Sequence, residues 1–296
     1  MELSKMLFQR LVGDARLSEL LAKYNNRSAV FYQRPPSDGD SEWGPVQYPR
    51  IDYNVDLQEN PARNTSGVLT LNVTCDVQVT CEPEDIEARL RELFHTAFAP
   101  TDDYVYCLAW QRSDAFEIRT REDQTVRNYG VTVVFDLVAC PPQITVYPDP
   151  IKGMNTWTKE VLPDAIVIGI DEISDWLIPT REKPVVYWRI ASQGKATQHF
   201  THTWLDITIE GHVYCKNAAD RLYNLVQLNT AYALAHHITL EDTSPLFLNS
   251  FVMQPHLNYI ITGQIRATGR FGLLQPWYGK PPENVLRPVI DVDINH

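Results

Sequence analysis

The residues best placed to do chemistry are three histidines in the second half of the chain, His199, His202 and His212. His199 and His202 stand at i and i+3, just before an alternating run that also carries His212, and imidazoles are common zinc ligands. A metal-dependent hydrolase would need those rings to converge on one ion with a bound water. The spacing argues against it, because no H-E-x-x-H context sets two rings on one helical face. His236 and His237 close a helical stretch, where an imidazole can simply meet the last carbonyls. The acidic pairs Asp102-Asp103 and Glu241-Asp242 fall in turn-rich segments, where solvation accounts for them. No G-x-S-x-G, G-x-x-x-x-G-K-[ST] or G-x-G-x-x-G turn is present. Trp110, Trp188 and Trp204 sit in strand-like runs and read as core or interface residues rather than a stacking platform for bases. The expectation is a protein that is not an enzyme, with no catalytic, cofactor-binding or metal-binding residue and no cofactor.

The totals set the frame for that reading. A chain of 296 residues, 44% hydrophobic and 21% charged, has room for two domains, each with a core of its own. The net charge of −11 arises mostly before residue 150, and no cluster of Lys and Arg offers a footprint for phosphates. The five cysteines, Cys75, Cys81, Cys107, Cys140 and Cys215, include no C-x-x-C pair, and four of them lie in apolar strand-like runs. Buried reduced thiols are therefore expected in place of a disulfide framework or zinc site. The N-terminal segment has no apolar stretch of signal-peptide or membrane-spanning length, which reads as synthesis in the cytosol.

Periodicity supplies the elements. Leu3, Met6, Leu7 and Leu11 mark a helix, Gly13 and Asp14 a kink, and Leu17, Leu20 and Leu21 a second short helix. A Pro- and Gly-containing loop at 34–40 leads to a short alternating strand at 48–55 and a longer one at 67–77. Pro83-Glu84-Asp85 opens a helix whose buried stripe is Ile86, Leu90, Leu93 and Phe94. Strands near 104–111 and 129–140 follow, separated by a polar insert at 113–128. A similar order recurs later: strands at 184–190 and 203–214, a helix from about Ala218 with Leu222, Leu225, Val226 and Asn229 at helical spacing, then strands at 247–253 and 258–267. The second copy's leading helix is assigned to 171–177, and the prolines at 141, 142, 148 and 150 to a stiff linker. The predicted fold class is α+β: two similar tandem domains, each a small, mainly antiparallel sheet in the order helix-strand-strand-helix-strand-strand with helices packed on it. The predicted boundaries are 1–142 for the first domain, 143–179 for linker and lead-in, 180–270 for the diverged second copy and 271–296 for an extended C-terminal arm.

The opening run Leu7-Phe8-Gln9-Arg10-Leu11-Val12-Gly13-Asp14-Ala15-Arg16-Leu17-Ser18-Glu19-Leu20-Leu21, the Tyr48-Pro49 strand, the long strand and the Pro83-Glu84-Asp85 helix resemble the tail-terminator (tail-completion) family of tailed phages and related particles. The resemblance covers residues 3–140 and, more faintly, 180–270, and the chain departs from the family in carrying the unit twice. It implies a virion structural protein whose subunits close into a ring at the head-proximal end of the tail tube, stop its polymerisation and dock to the neck. The implied partners are further copies of the chain, the tail tube and sheath proteins, and a neck or head-tail connector protein. A hexamer is favoured and a trimer is the alternative. DNA would pass through without specific binding, no membrane is involved, and the location would be the host cytoplasm during assembly and then the virion. Another neck or baseplate component, or a cytosolic adaptor, is the competing assignment.

Two segments carry the expected contacts. After a proline-rich stretch, Val289, Ile290, Val292 and Ile294 alternate with acids like a strand and form a candidate subunit contact, reaching an adjacent subunit or folding back on their own domain. The 113–128 insert mixes both signs, and Glu117, Arg119, Arg121 and Arg127 make it a candidate partner-binding hairpin.

Overall fold

The computed structural model describes residues 2–62, 65–78, 82–120, 124–141, 143, 147–199, 201–235 and 237–274. The chain is mixed α/β and divides into two units. One comprises Met1–Pro141 with Ile173–Ile178, the other Pro142–Glu172 with the chain from Pro179 onward. Among the described residues there are five helices and two six-stranded sheets, and no helix is long and apolar enough to cross a membrane.

The first unit opens with helices α1 (Leu3–Val12) and α2 (Ala15–Leu20), and Asp14 caps α2 by accepting the Leu17 N–H at 3.0 Å. A small hairpin, β1 (Lys23–Tyr24) and β2 (Arg27–Ser28), leads into β3 (Val30–Tyr32), β4 (Arg50–Ala62) and β5 (Thr65–Asp76). Helix α3 (Pro83–Phe94) then precedes β6 (Phe98–Pro100), β7 (Val105–Arg119) and β8 (Val126–Cys140). The sheet order is β3-β4-β5-β8-β7-β6, antiparallel except for β3, which runs parallel to β4. Helical stripes from α1 and α3 meet Ile51, Tyr53, Leu71, Val133 and Phe135 in one core. Asp14 also pairs with Arg89 of α3 at 2.5 Å, tying the kink to the sheet-packed helix. That hydrogen bond holds the Asp14 carboxyl below its ordinary value.

The second unit begins with α4 (Pro150–Val161), followed by β9 (Ile166–Val167), β10 (Val185–Gln198) and β11 (His202–Tyr214). Helix α5 (Ala218–Leu234), β12 (Ile238–Thr239), β13 (Pro245–Met253) and β14 (Ile265–Leu274) complete it. Its order is β9-β10-β11-β14-β13-β12, with β9 parallel to β10 and the remaining pairs antiparallel. Followed along the chain, the two sheets have the same strand order, the same parallel edge strand and a helix at the same crossover. A register shift falls in the β7/β8 pair at Trp110/Arg112 and another in the β13/β14 pair at Leu248/Ser250. The second core centres on Trp188, whose indole N–H donates to Thr158 Oγ1 at 2.8 Å while its ring lies against Gly211. A Cβ at Gly211 would come within 2.2 Å of that ring.

Several expectations need correction. The leading helix of the second unit is α4, not 171–177. Asp149 accepts the Ile151 and Lys152 N–H groups and Pro150 occupies the first turn, so the prolines read as a linker start a helix. Residues 173–178 belong to the first unit, where Leu177 bridges to Phe98 and Trp176 packs on Phe94. On α5, Leu222 and Val226 face outward, and Asn224, Leu225 and Leu228 are the buried residues. Residues 258–263 form a turn in which Asn258 accepts the Ile260 and Ile261 N–H groups, and the last strand continues to Leu274. Cys75 is disulfide-bonded, contrary to the all-thiol reading, while Cys107, Cys140 and Cys215 are buried thiols. Burial raises the Cys215 thiol to about 11, so it is inert at neutral pH.

Candidate functional site

The histidines do not converge. His202 and His212 lie ten residues apart on one strand, roughly 33 Å at the rise of an extended chain. His199 and His202 stack at the end of the β10/β11 hairpin, with centroids 4.7 Å apart, and His202 meets Trp204 edge-on at 5.4 Å. Trp204 continues to Phe247, which His237 also approaches, so this is an aromatic patch. His236 lies outside the described residues.

His212 is fully buried and committed elsewhere. Its Nε2 accepts from Arg189 Nε at 3.1 Å, which leaves Nδ1 to donate to the Tyr259 carbonyl at 2.8 Å. Arg189 in turn pairs with Glu210. Gly263, at φ +85°, brings the 258–263 turn over this ring, and a Cβ there would meet the Gly211 carbonyl at 2.8 Å. The imidazole therefore pins a turn to the sheet. Among the described residues no group of three or more His, Cys, Asp and Glu side chains could hold a metal ion. Glu241 pairs with Lys152 at 2.6 Å and Asp242 accepts from Ser244, both structural uses of an acid.

The 113–128 segment is mostly ladder: β7 and β8 stay in register from Arg112↔Val134 to Ile118↔Asn128, and β8 pairs on its other side with β5 as far as Asp76↔Asn128, so the polar insert is a hairpin arm that continues the edge of the sheet and leaves β5 behind past Ile118↔Asn128. From Gln111 onward β7 is half-buried or exposed, and an edge strand open to solvent carries polar residues there.

The arm is anchored at its root by two networks. In one, Arg91 lies over the Trp110 ring at 3.9 Å, Trp110 Nε1 donates to Ser113 Oγ at 3.0 Å, and Ser113 donates to Glu87 at 2.7 Å. These contacts tie the arm to α3. In the other, Asp38 accepts from Arg127 at 2.8 Å, from Arg50 at 2.7 Å and from the Tyr48 hydroxyl. Arg127 thus clasps the root of the arm. Glu117 and Arg119 pair with each other at 2.7 Å on the exposed length of the arm, and Arg121 lies outside the described residues. Asp38 and Glu87 are the residues the sequence reading missed. Nothing in a Pro- and Gly-rich loop marks one carboxylate as the hub for two distant arginines.

The backbone edges complete the site. Edge strands β3 and β6 cover only the first residues of β4 and β7, and β9 covers two residues of β10. Among the described residues no strand pairs with the outer edge of β4 beyond Tyr53, of β7 along 111–119, or of β10 along 191–198. Unpaired N–H and C=O groups in a row are a template for another strand. The candidate contacts Val289, Ile290, Val292 and Ile294 lie outside the described residues.

No known protein-family profile matches the chain, and no curated protein sequence matches it.

Proposed function

We propose that the protein is a structural ring component of a phage tail or tail-like particle, built from a duplicated tail-terminator unit, closing at the head-proximal end of the tail tube and docking to the neck. One observation carries the reading: two units of the same strand order, each with long hairpin strands whose outer edges are open over much of their length. An open edge favours association, and a closed cyclic arrangement satisfies every edge without leaving a growing end. The duplication fits a scaffold, since it doubles the number of such surfaces per chain. The acidic balance fits a channel that a polyanion crosses without being gripped.

Native mass spectrometry tests the proposal. A closed species of three or six chains is expected, and a monomer at micromolar concentration overturns it. Negative-stain imaging with isolated tail tubes adds the location: rings on one tube end support the terminator, whereas closed rings that never cap a tube reassign the protein to another neck or baseplate position. Deleting residues 279–296 is expected to change the assembly state.

A further inference from the structure

An open groove of about 820 Å³ runs along the first unit between α1 and β3. Phe8 from the helix and Phe31, Tyr32 and Tyr53 from the sheet give it aromatic walls, and Tyr32 is 44% exposed with its ring 5.4 Å from that of Tyr53. Its rim carries Glu2, Lys5 and Arg27. Glu2 and Lys5 neutralise each other at 3.7 Å, and Arg27 has no ion-pair partner among the described residues. β3 is the outermost strand of its sheet; among the described residues only β4 pairs with it, in parallel, and Arg34 N–H donates to the Tyr32 carbonyl. The groove therefore offers a strand edge, an apolar wall and one uncommitted cation.

One segment of this chain matches that chemistry. In residues 289–294, Ile290, Val292 and Ile294 alternate with Asp291 and Asp293, so in an extended conformation one face is branched and apolar and the other carries two carboxylates. The described chain ends at Leu274, the last residue of β14. The roughly fifteen residues from there to Val289 span up to about 50 Å when extended, enough to reach a neighbouring subunit.

We infer that the α1/β3 groove receives residues 289–294 of a second copy of the chain as an added strand, with Ile290, Val292 and Ile294 on the aromatic wall and an acid of the segment against Arg27. This rests on the ring reading and names the contact that links one subunit to the next. A strand added at a sheet edge gains main-chain bonds for affinity and side-chain pockets for register.

The test is a photo-cross-linking residue at position 292 of the full chain, with isotopically heavy and light chains mixed before assembly. Heavy-light products joining position 292 to peptides that contain Phe8 or Arg27–Tyr32 are expected. Products confined to chains of one isotope, or mapping away from the groove, overturn the inference. Arg27→Glu is expected to lower the heavy-light yield at least tenfold, and combining it with Asp291→Arg and Asp293→Arg to restore it; failure to restore overturns the charge pairing. The ring reading fails separately. A closed ring without groove products sinks this inference alone, and groove products in a species that never closes uphold it while sinking the ring.

Discussion

Helices α3 and α5 occupy the same place in their units, crossing from the second long strand to the third, yet they meet solvent in opposite ways. Helix α3 buries Ile86, Leu90, Leu93 and Phe94 and turns Glu84, Asp85 and Glu92 outward, an ordinary amphipathic helix. Helix α5 has only Asp220 and Arg221 as charged residues in its seventeen positions. It buries Leu225 and Leu228 while Leu222, Tyr223, Val226 and Leu234 face outward, the last 80% exposed. A helix that is apolar all round normally has neighbours all round. The same topological position can therefore be held by one apolar face or by two, and only the first announces its orientation.

The comparison breaks most readily at the cores. Trp188→Ala empties the centre of the second unit and removes the indole bond to Thr158, whose hydroxyl still donates to the Met154 carbonyl, so a loss of about 3–5 kcal/mol is expected by denaturant titration. Hydrogen exchange should show that loss across 150–172 and 179–274 and spare 2–141 with 173–178. Leu90→Ala and Leu225→Ala, one on each helix, should each cost about 2–5 kcal/mol. If Leu225→Ala is neutral, α5 does not pack as described.

Asp14→Ala, at the kink between α1 and α2, should cost about 1–3 kcal/mol through the lost cap and the lost Arg89 pair. Its pH dependence has a definite sign. A carboxylate held below 3.8 contributes in full above that value and loses its contribution as pH falls through the depressed one. The gap between wild type and Asp14→Ala should therefore be widest at neutral pH and close in acid. The smallest effect belongs to the outward face of α5: Val226→Lys should change monomer stability by no more than about 0.5 kcal/mol. A cost like that of Leu225→Ala would turn the helix over.

What the sequence disclosed follows from the same contrast. Helix α3 was legible because Pro83, two acids and a single apolar stripe agree. On α5 the pattern selected Leu222, Leu225, Val226 and Asn229, of which Leu225 is buried while Leu222 and Val226 face outward, because a helix apolar on two sides gives periodicity no preferred face. Helix α4 was hidden because Pro148 and Pro150 look like a linker until Asp149 is seen capping the first turn. The 113–119 stretch of β7 read as an insert because an edge strand exposed along most of its length lacks the alternation by which strands are recognised. At the candidate site, Glu117 and Arg119 were visible as charges in a polar stretch. The Asp38 hub joins residues 12 and 89 positions away and leaves no local trace.

The contact between Trp188 and Gly211 also bears on how the protein can change over generations. Any side chain at 211 collides with the indole, and any smaller residue at 188 leaves a void. Neither position can drift alone without loss of stability, so lineages that keep the tryptophan should keep the glycine.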